Sequence, residues 1–432
     1  MKKLKPSIYN VITKENEATI VFNAKNCALV KVNNIFLELL DEPNSYKTDE
    51  YSKLAEQMYN AGFLVDDEID ELKVLEYEHN LAKHDKKKLT LTILPTLDCN
   101  FRCFYCFENK KPIKIEDTEI KAIENFAKEH IKGIEEMSVC WFGGEPLLNP
   151  TAIWKLSEIF IKLAKEENFK YKAAMITNGS LINPNIAKKM KDYKIEILQI
   201  TLDGDEKTHN SRRGFINHAG SFWEIINNIQ IVTDEGIKVN CRINLDKTNK
   251  DGVERLIPLL GTKNFKHFEI SFGHILPLGT NDAWSKDVCY TSEEFSKVVE
   301  ELGKLSDKCN LRKPLDYPFY PRPTNNFCGA CQINSYVIHP NGDVYKCYDC
   351  PEYKIGDVFN GISKTMVDKN NYAHWITYSP FDDDECRNCK VLPLCMGGCP
   401  YLKEKLKNKF CLKWKNDIED IIKAKYNSSR KS

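Results

Sequence analysis

The segment LTLTIL (89–94), followed shortly by CNFRCFYC (99–106), decides how the chain is interpreted. The first segment has the length and composition of a buried strand. The second places Cys99, Cys103 and Cys106 in a CxxxCxxC pattern just after that strand. Three thiolates this close can hold three irons of a [4Fe–4S] cluster and leave the fourth iron open for a ligand. From these residues alone, a zinc site lacking one ligand and a redox pair of Cys103 and Cys106 stay open.

Strand and helix patterns alternate from residue 89 onward. The predicted strands are 89–94, 138–142, 171–177, 195–202, 237–245 and 267–272. The predicted helices are 116–131, 151–166, 184–193, 221–235, 253–260 and 293–307. Strands separated by helices predict a parallel sheet with right-handed crossovers. No GxGxxG fingerprint lies between the second and fifth strands, so we expect a partial (β/α)6 TIM-like barrel with function at the carboxyl ends of its strands.

Composition excludes several classes of function. The 432 residues are 42% hydrophobic, and Lys+Arg equals Asp+Glu at 62 each, which argues against a polybasic nucleic-acid binder. No apolar run is long enough for a membrane span, and MKKLKPSIYN has no apolar core of a signal peptide. We therefore expect a cytoplasmic protein with neither a nucleic-acid nor a membrane partner. Its 17 cysteines then point to metal rather than to disulfides.

A second motif, WFGGEPLL, ends the second predicted strand. Gly143 and Gly144 allow close approach of a ligand to the backbone, and Glu145 can pair with an ammonium group. A lone GGE is usually a turn. Together with the CxxxCxxC pattern one strand earlier, it resembles the radical S-adenosylmethionine (radical SAM) enzymes.

The resemblance implies specific roles along residues 89–310. The three cysteines would hold a [4Fe–4S] cluster whose open iron is chelated by SAM, and the GGE segment would bind the SAM amino group. Further expected SAM contacts are Tyr105 before the third cysteine, Asn178 in ITNG, Thr201 in ITLDG, Arg213 and Arg242. For the two arginines, an ordinary ion pair is the alternative.

The C-terminal cysteines form a second group. CGAC (328–331) is followed by Cys347 and Cys350, and CRNCKVLPLCMGGC (386–399) by Cys411. This arrangement resembles the SPASM domain, a twin-cluster extension of radical SAM peptide-modifying enzymes. The resemblance implies one auxiliary [4Fe–4S] cluster held by Cys328, Cys331, Cys347 and Cys399, and a second held by Cys386, Cys389, Cys395 and Cys411.

Two points in this region stay open. The spacing of Cys328, Cys331, Cys347 and Cys350 also fits a zinc ribbon. Nine cysteines are available for eight auxiliary ligand positions, so one is spare, either Cys350 or Cys331.

Some sulfatase-maturing relatives carry an acidic residue, which acts as a base, directly after the matching cysteine. In this chain that place is Tyr348, and the acidic residue is Asp349. A catalytic role for Asp349 is therefore not assigned.

Residues 1–85 form a small α+β, winged-helix-like unit in this interpretation. Two β-prone runs, 9–13 and 19–22, surround the turn KENE, and 32–40 and 54–60 have helical spacing. The pattern is similar to the peptide-recognition element of ribosomally made peptide systems, with a purely structural domain as the alternative. The predicted domains are therefore 1–85, a radical SAM core at 89–310, a SPASM domain at 311–425 and a disordered tail at 426–432.

The resemblance implies a peptide maturase with SAM and three [4Fe–4S] clusters. A 5′-deoxyadenosyl radical would remove a hydrogen from a precursor peptide that carries a leader, and a thioether would join a cysteine sulfur to a carbon. The expected partners are that peptide and an electron donor such as flavodoxin or ferredoxin. The alternatives are a carbon–carbon crosslink, formylglycine on a sulfatase, and a non-catalytic zinc-ribbon binding protein.

Overall fold

The computed structural model describes residues 3–276, 287–311, 322–406, 411 and 413–428. The strands in these ranges are β1 (Leu4–Pro6), β2 (Asn10–Glu15), β3 (Ala18–Asn23), β4 (Leu29–Val32), β5 (Leu64–Asp66), β6 (Lys88–Ile93), β7 (Glu136–Trp141), β8 (Lys170–Thr177), β9 (Ile195–Thr201), β10 (Lys238–Leu245), β11 (Phe268–His274), β12 (Ser335–Ile338), β13 (Asp343–Tyr345), β14 (Lys354–Asp357) and β15 (Gly361–Ile362).

The α-helices in the same ranges are α1 (Asn34–Asp41), α2 (Asp49–Asn60), α3 (Glu71–Lys83), α4 (Asp117–His130), α5 (Pro150–Glu166), α6 (Pro184–Asp192), α7 (Glu206–Arg212), α8 (Phe222–Asp234), α9 (Lys250–Thr262), α10 (Ser292–Lys308), α11 (Met366–Ile376), α12 (Asp384–Arg387), α13 (Leu392–Cys395), α14 (Pro400–Lys405) and α15 (Lys413–Ser428). The chain divides into two compact units. One comprises Met1–His84, Tyr317–Cys328 and Tyr378–Ser432, and the other Asp85–Asp316 and Gly329–Thr377.

The second unit contains the predicted partial barrel. Strands β6 to β11 lie side by side in chain order, and every neighbouring pair is parallel. This is the order of a (β/α) barrel, and the six predicted strands and their helices agree with it within a few residues. The sheet continues beyond β6, because β12 pairs parallel with β6 and β13 to β15 follow as antiparallel neighbours.

Alternation along the strands gives the barrel two different faces. In β6 and β7 the fully buried positions include Leu91, Ile93 and Trp141, with Thr92 and Cys140 at partly exposed positions between them. Successive side chains of a strand point to opposite faces of a sheet. The apolar set therefore packs under the helices, and the more polar set lies on the other face.

The first unit joins the N-terminal segment to the C-terminal one. Strands β2, β3 and β4 form an antiparallel sheet, which confirms the predicted hairpin. One apolar cluster contains Val11 and Phe22 of this sheet together with Leu392 and Ile418, and Cys386 and Cys389 pack against it. Val21 belongs to a second cluster with α1 and α2. The sheet is thus buried on one face by residues from the far end of the sequence.

Several elements differ from the expectations. Strand β4 and helices α3 and α7 are present where no strand or helix was predicted from the sequence. The last helix runs from Lys413 to Ser428, so it extends into the segment expected to be a disordered tail. Residues 429–432 lie outside the described residues, and the predicted domain limits remain predictions.

Candidate functional site

The loop after β6 carries the three clustered cysteines. Cys99 is buried, while Cys103 and Cys106 are half-buried. Burial raises the pKa of the Cys99 thiol to about 11 and also raises the pKa of Cys106. A buried thiol of this kind becomes a thiolate when a metal cation takes the proton's place. The donor set therefore fits an iron–sulfur cluster.

Hydrogen bonds to the backbone hold this loop in shape. The Arg102 guanidinium donates to the carbonyl of Cys99 at 2.6 Å, and the Lys110 ammonium donates to the carbonyl of Phe101 at 2.9 Å. Phe101 also forms an isolated antiparallel bridge with Phe215, and their rings lie 4.8 Å apart. The loop is therefore fixed to the segment that follows β9.

The GGE segment lies directly against the backbone that leads into the cysteine loop. A Cβ on Gly143, whose φ is +116°, would stand 2.5 Å from the carbonyl oxygen of Thr96. A Cβ on Gly144 would stand 2.1 Å from the carbonyl oxygen of Asp98. Both glycines are thus required by a close approach of the protein's own chain, a reason that the sequence interpretation did not include.

Glu145 is fully buried, and its carboxylate accepts hydrogen bonds from within the protein. One oxygen accepts from the backbone N–H of Asn178 at 2.8 Å. The other accepts from the Thr177 hydroxyl at 2.8 Å and from the backbone N–H of Leu147 at 3.0 Å. Burial raises the pKa of Glu145, and these donors oppose that change. The carboxylate therefore ties the end of β7 to the end of β8.

Tyr105 lies at the centre of a buried polar network. Its hydroxyl donates to the Asp203 carboxylate, accepts from the Arg213 guanidinium at 2.5 Å and accepts from the Asn244 amide at 3.2 Å. The backbone N–H of Asn244 also donates to Asp203 at 3.0 Å. Arg213 is buried with its Nε lacking a hydrogen-bond partner in the described residues. An anionic ligand group could take that position.

The other predicted contacts lie at the ends of neighbouring strands. The Asn178 amide donates to the Asn100 side chain at 2.8 Å, which links the end of β8 to the cysteine loop. Thr201 is the last residue of β9 and is paired in register with Arg242 of β10. The Arg242 guanidinium donates to the Asn244 side chain at 2.8 Å. The predicted residues thus belong to the ends of β6 to β10.

Sequence reasoning missed the residues that support this network. Asp203 is fully buried, and Arg212 forms a buried ion pair with Asp246 at 2.8 Å. Asp246 directly follows β10 and Asp203 lies two residues after the end of β9, so their positions at the carboxyl ends of strands were a usable signal. This buried ion pair joins the C-terminal end of α7 to the loop after β10 and so fixes the position of the adjacent Arg213.

Residues 348 and 349 also belong to the barrel unit. The Tyr348 ring lies 4.9 Å from that of Phe142 and 6.4 Å from that of Phe107. Burial raises the pKa of Asp349 to about 6, and the positive charge of Arg242 opposes that change. The segment after Cys347 thus lies beside both the cysteine loop and the GGE segment.

The first unit contains a second cysteine site. Cys386, Cys389, Cys395 and Cys411 line one pocket together with Lys403, Lys415, Asp383, Glu385, Leu392 and Gly397. Burial raises the pKa of Cys395 to about 12 and also raises the pKa values of Cys386 and Cys389. All four cysteines predicted for the second auxiliary cluster are brought together, and their donor set fits such a cluster.

The remaining C-terminal cysteines are divided between the units. Cys331, Cys347 and Cys350 belong to the barrel unit, whereas Cys328 and Cys399 belong to the other unit. Cys331 and Cys350 are buried and the other three are half-buried. The ligand set predicted for the first auxiliary cluster therefore stays a sequence prediction.

Two kinds of feature are absent from the described ranges. Within these residues, no group of three or more His, Cys, Asp and Glu side chains stands ready to hold a single metal ion. Among the helices that the structure describes, none combines the length and apolar character needed to cross a bilayer.

Residues 93–260 match the Radical SAM superfamily model. The chain is 26% identical over 355 residues to a cysteine-type anaerobic sulfatase-maturating enzyme of Clostridium novyi, covering 74% of this chain and 89% of that protein. It is 27% identical over 344 residues to the antilisterial bacteriocin subtilosin biosynthesis protein AlbA of Bacillus subtilis, covering 75% of this chain and 71% of that protein.

The fold resembles a solved structure over most of its length. The crystal structure of Streptococcus suis SuiB bound to precursor peptide SuiA aligns with a TM-score of 0.54 at 17% identity, covering 94% of this chain and 97% of that one. Together with the strand order, these likenesses confirm the partial barrel and the resemblance inferred from the two motifs.

Proposed function

We propose that this chain, a radical SAM enzyme through its domain at residues 93–260, joins a cysteine sulfur to a carbon of a ribosomally made precursor peptide. One observation carries the proposal. The cysteine loop after β6 occurs in the same chain as a second cysteine pocket, and two cysteines of that pocket pack on the core of the N-terminal sheet. A candidate cluster-binding pocket and a candidate peptide-binding sheet are thus parts of one folded unit.

Cys99, Cys103 and Cys106 are proposed to hold the SAM-binding [4Fe–4S] cluster. The residues proposed to surround SAM are Tyr105, Gly143, Gly144, Glu145, Asn178, Thr201, Arg213 and Arg242. When bound, the cluster and SAM would supply a 5′-deoxyadenosyl radical that removes a hydrogen atom from the peptide.

The chain's own residues would orient SAM and keep water out. The Tyr105 hydroxyl and the Asp203 carboxylate hold the Arg213 guanidinium in place, which leaves its Nε available to an anionic group such as a carboxylate. The carboxylate of Glu145 is fully buried and accepts from three donors within the protein, so we propose that the neighbouring backbone carbonyls contact the SAM amino group.

The C-terminal cysteines are proposed to hold two auxiliary [4Fe–4S] clusters, which would supply an acceptor for the electron released when the crosslink forms. The second of them would be held by Cys386, Cys389, Cys395 and Cys411, which share one pocket. The first would take Cys328, Cys331, Cys347 and Cys399, with Cys350 or Cys331 as the spare cysteine. An external protein such as flavodoxin or ferredoxin would deliver the electron that starts each turnover.

The N-terminal sheet is proposed to bind the leader of the precursor. Helix α15 approaches β2, where Glu419 accepts from the Thr13 hydroxyl at 3.1 Å. Among the described residues, β4 has only β3 as a strand neighbour, so a leader strand could pair with its free edge. In the same unit, α3 exposes Val74, Tyr77 and Leu81 at helical spacing, with exposed fractions of 43%, 64% and 55%. These three residues, the α3 stripe, offer an apolar surface for leader side chains.

The relatives support a peptide substrate. One is a subtilosin biosynthesis protein, another is a sulfatase-maturating enzyme, and SuiB was solved with a precursor peptide. The sulfatase-maturating relative favours a second candidate function, in which a cysteine of a sulfatase becomes formylglycine. A carbon–carbon crosslink made by the same machinery is the remaining alternative.

Mass spectrometry separates these products. A Cys-containing precursor peptide is incubated anaerobically with enzyme, SAM and reductant. A thioether lowers the peptide mass by two hydrogens and removes one thiol from alkylation. A carbon–carbon crosslink lowers the mass equally but leaves the thiol reactive, and formylglycine formation removes the sulfur. An unchanged peptide mass would refute the proposal.

A further inference from the structure

The ammonium group of Lys403 lies beside a cysteine sulfur in the second pocket. Its Nζ is 3.1 Å from the Sγ of Cys386 and 3.0 Å from a carboxylate oxygen of Asp383. The Lys403 side chain is only 9% exposed. A cysteine sulfur that ligates a metal carries negative charge, so it can accept a charge-assisted hydrogen bond from a buried ammonium group.

Asp383 holds Lys403 and Cys386 in this arrangement. One oxygen of its carboxylate caps the short helix α12, because it accepts from the backbone N–H groups of Glu385 at 2.9 Å and Cys386 at 3.2 Å. Its other oxygen accepts from Lys403. Asp383 thus orients both Cys386 and Lys403. Lys403 lies on α14, the helix that begins directly after Cys399.

We propose that Lys403 tunes the reduction potential of the cluster held by Cys386, Cys389, Cys395 and Cys411, by donating a hydrogen bond to the ligating sulfur of Cys386. The inference rests on the proposed function, because it requires a cluster in this pocket. Lys403 acts through Cys386, so it is a positioning residue rather than a catalytic one.

The direction of the effect follows from charge. Reduction adds one negative charge to a cluster and its thiolates, and a nearby cation stabilises the state with more negative charge. Hydrogen bonds to the sulfurs act in the same direction and are a recognised control of cluster potential. Lys403 therefore raises the potential, which makes this cluster a better electron acceptor.

Lys415 provides a matched control in the same pocket. It pairs with Glu385, and its side chain is 37% exposed, so solvent and salt screen its charge. A lysine that only contributes overall charge would act like Lys415. A lysine that donates to the ligating sulfur would act far more strongly.

The test is a redox titration followed by electron paramagnetic resonance. Cys99, Cys103 and Cys106 are first changed to Ala in the full chain, which removes the SAM-binding cluster. The signal that disappears on adding Cys411→Ala identifies the cluster in this pocket. In this background Lys403→Met should lower its equilibrium constant for reduction about tenfold, a shift of 59 mV for one electron. Lys415→Met should shift it less than half as far.

Each outcome distinguishes the two proposals. An unchanged potential in Lys403→Met would overturn the role of Lys403 and leave the cluster assignment intact. Absence of iron from this pocket in the parent protein would overturn the auxiliary cluster itself and this inference with it. If Lys403→Met fails to retain iron, Lys403→Gln, which keeps an N–H donor without the charge, should show a smaller shift in the same direction. No shift in that variant would also overturn the inference.

Discussion

The Tyr105 hydroxyl donates a hydrogen bond to the Asp203 carboxylate, although the two residues are 98 positions apart in the sequence. Tyr105 belongs to the cysteine loop after β6, and Asp203 follows the end of β9. Arg213 donates to the same hydroxyl at 2.5 Å. The contact thus fixes the cysteine loop relative to the strand ends where SAM is proposed to bind.

Removal of the Tyr105 hydroxyl should weaken both the fold and SAM binding. Tyr105→Phe leaves a buried carboxylate oxygen and a guanidinium N–H without their partner, which costs about 1–3 kcal/mol. We expect a lower urea midpoint of unfolding under anaerobic conditions and a higher dissociation constant for SAM. Tyr77→Phe, at an exposed position of α3, should change stability by less than about 0.5 kcal/mol. Equal behaviour of the two variants would contradict the role given to this network.

Glu145 should be sensitive to a neutral, isosteric change. In Glu145→Gln an amide NH2 group replaces one of the two carboxylate oxygens. That NH2 group then faces either the N–H of Asn178 or the donors of Thr177 and Leu147, so two donors meet in a buried site. The expected loss of stability is about 1–3 kcal/mol. Denaturant midpoints measure it, with Glu158→Gln on the exposed side of α5 as the control. A stable Glu145→Gln protein would mean that the carboxylate does not tie β7 to β8.

The α3 stripe should bind the leader without supporting the fold. Because Tyr77 and Leu81 are exposed, Tyr77→Asp and Leu81→Asp should change stability by less than about 0.5 kcal/mol. Each should weaken leader binding about tenfold, or about 1.4 kcal/mol, as measured by fluorescence anisotropy with a labelled leader peptide. Asn80→Asp makes the same charge change at an exposed position outside the stripe and should bind normally. Weakening by all three variants alike would indicate a charge effect rather than docking on the stripe.

Iron content tests the number of clusters. Reconstituted protein should contain about twelve irons per chain, and a variant with Cys99, Cys103 and Cys106 changed to Ala should contain about eight. About four irons with one or two zincs would instead mean that the C-terminal cysteines hold zinc. That result would remove the proposed electron acceptors.

The barrel was predictable because its signals are local. Each strand and helix from β6 to α10 except α7 has a periodic pattern that identifies it without reference to the rest of the chain. Helix α3 was missed because its buried face includes His79 and Lys83, which disrupt the apolar pattern. The His79 ring contacts the carbonyl of Asn325 and the Lys83 ammonium donates to that of Tyr378, both at 2.7 Å. These partners lie far along the sequence, so they could not be anticipated.

The composition of the first unit was not predictable for the same reason. Nothing local in Phe22 or Val11 indicates that they share a core with Leu392 and Ile418. Helix α7 was missed because it is short and its buried residues, His209 and Arg212, are polar. By contrast, the resemblance of the cysteine pattern to the SPASM domain identified the four residues that line the second pocket, because a cluster constrains the spacing of its ligands along the chain.

The most direct test of the account is the mass of a Cys-containing precursor peptide after reaction with SAM and reductant. The wild-type enzyme should lower the peptide mass by two hydrogens and protect one cysteine from alkylation. The variant with Cys99, Cys103 and Cys106 changed to Ala should leave the peptide unchanged. An unmodified peptide with fully iron-loaded wild-type enzyme, or equal modification by the triple variant, would contradict the account.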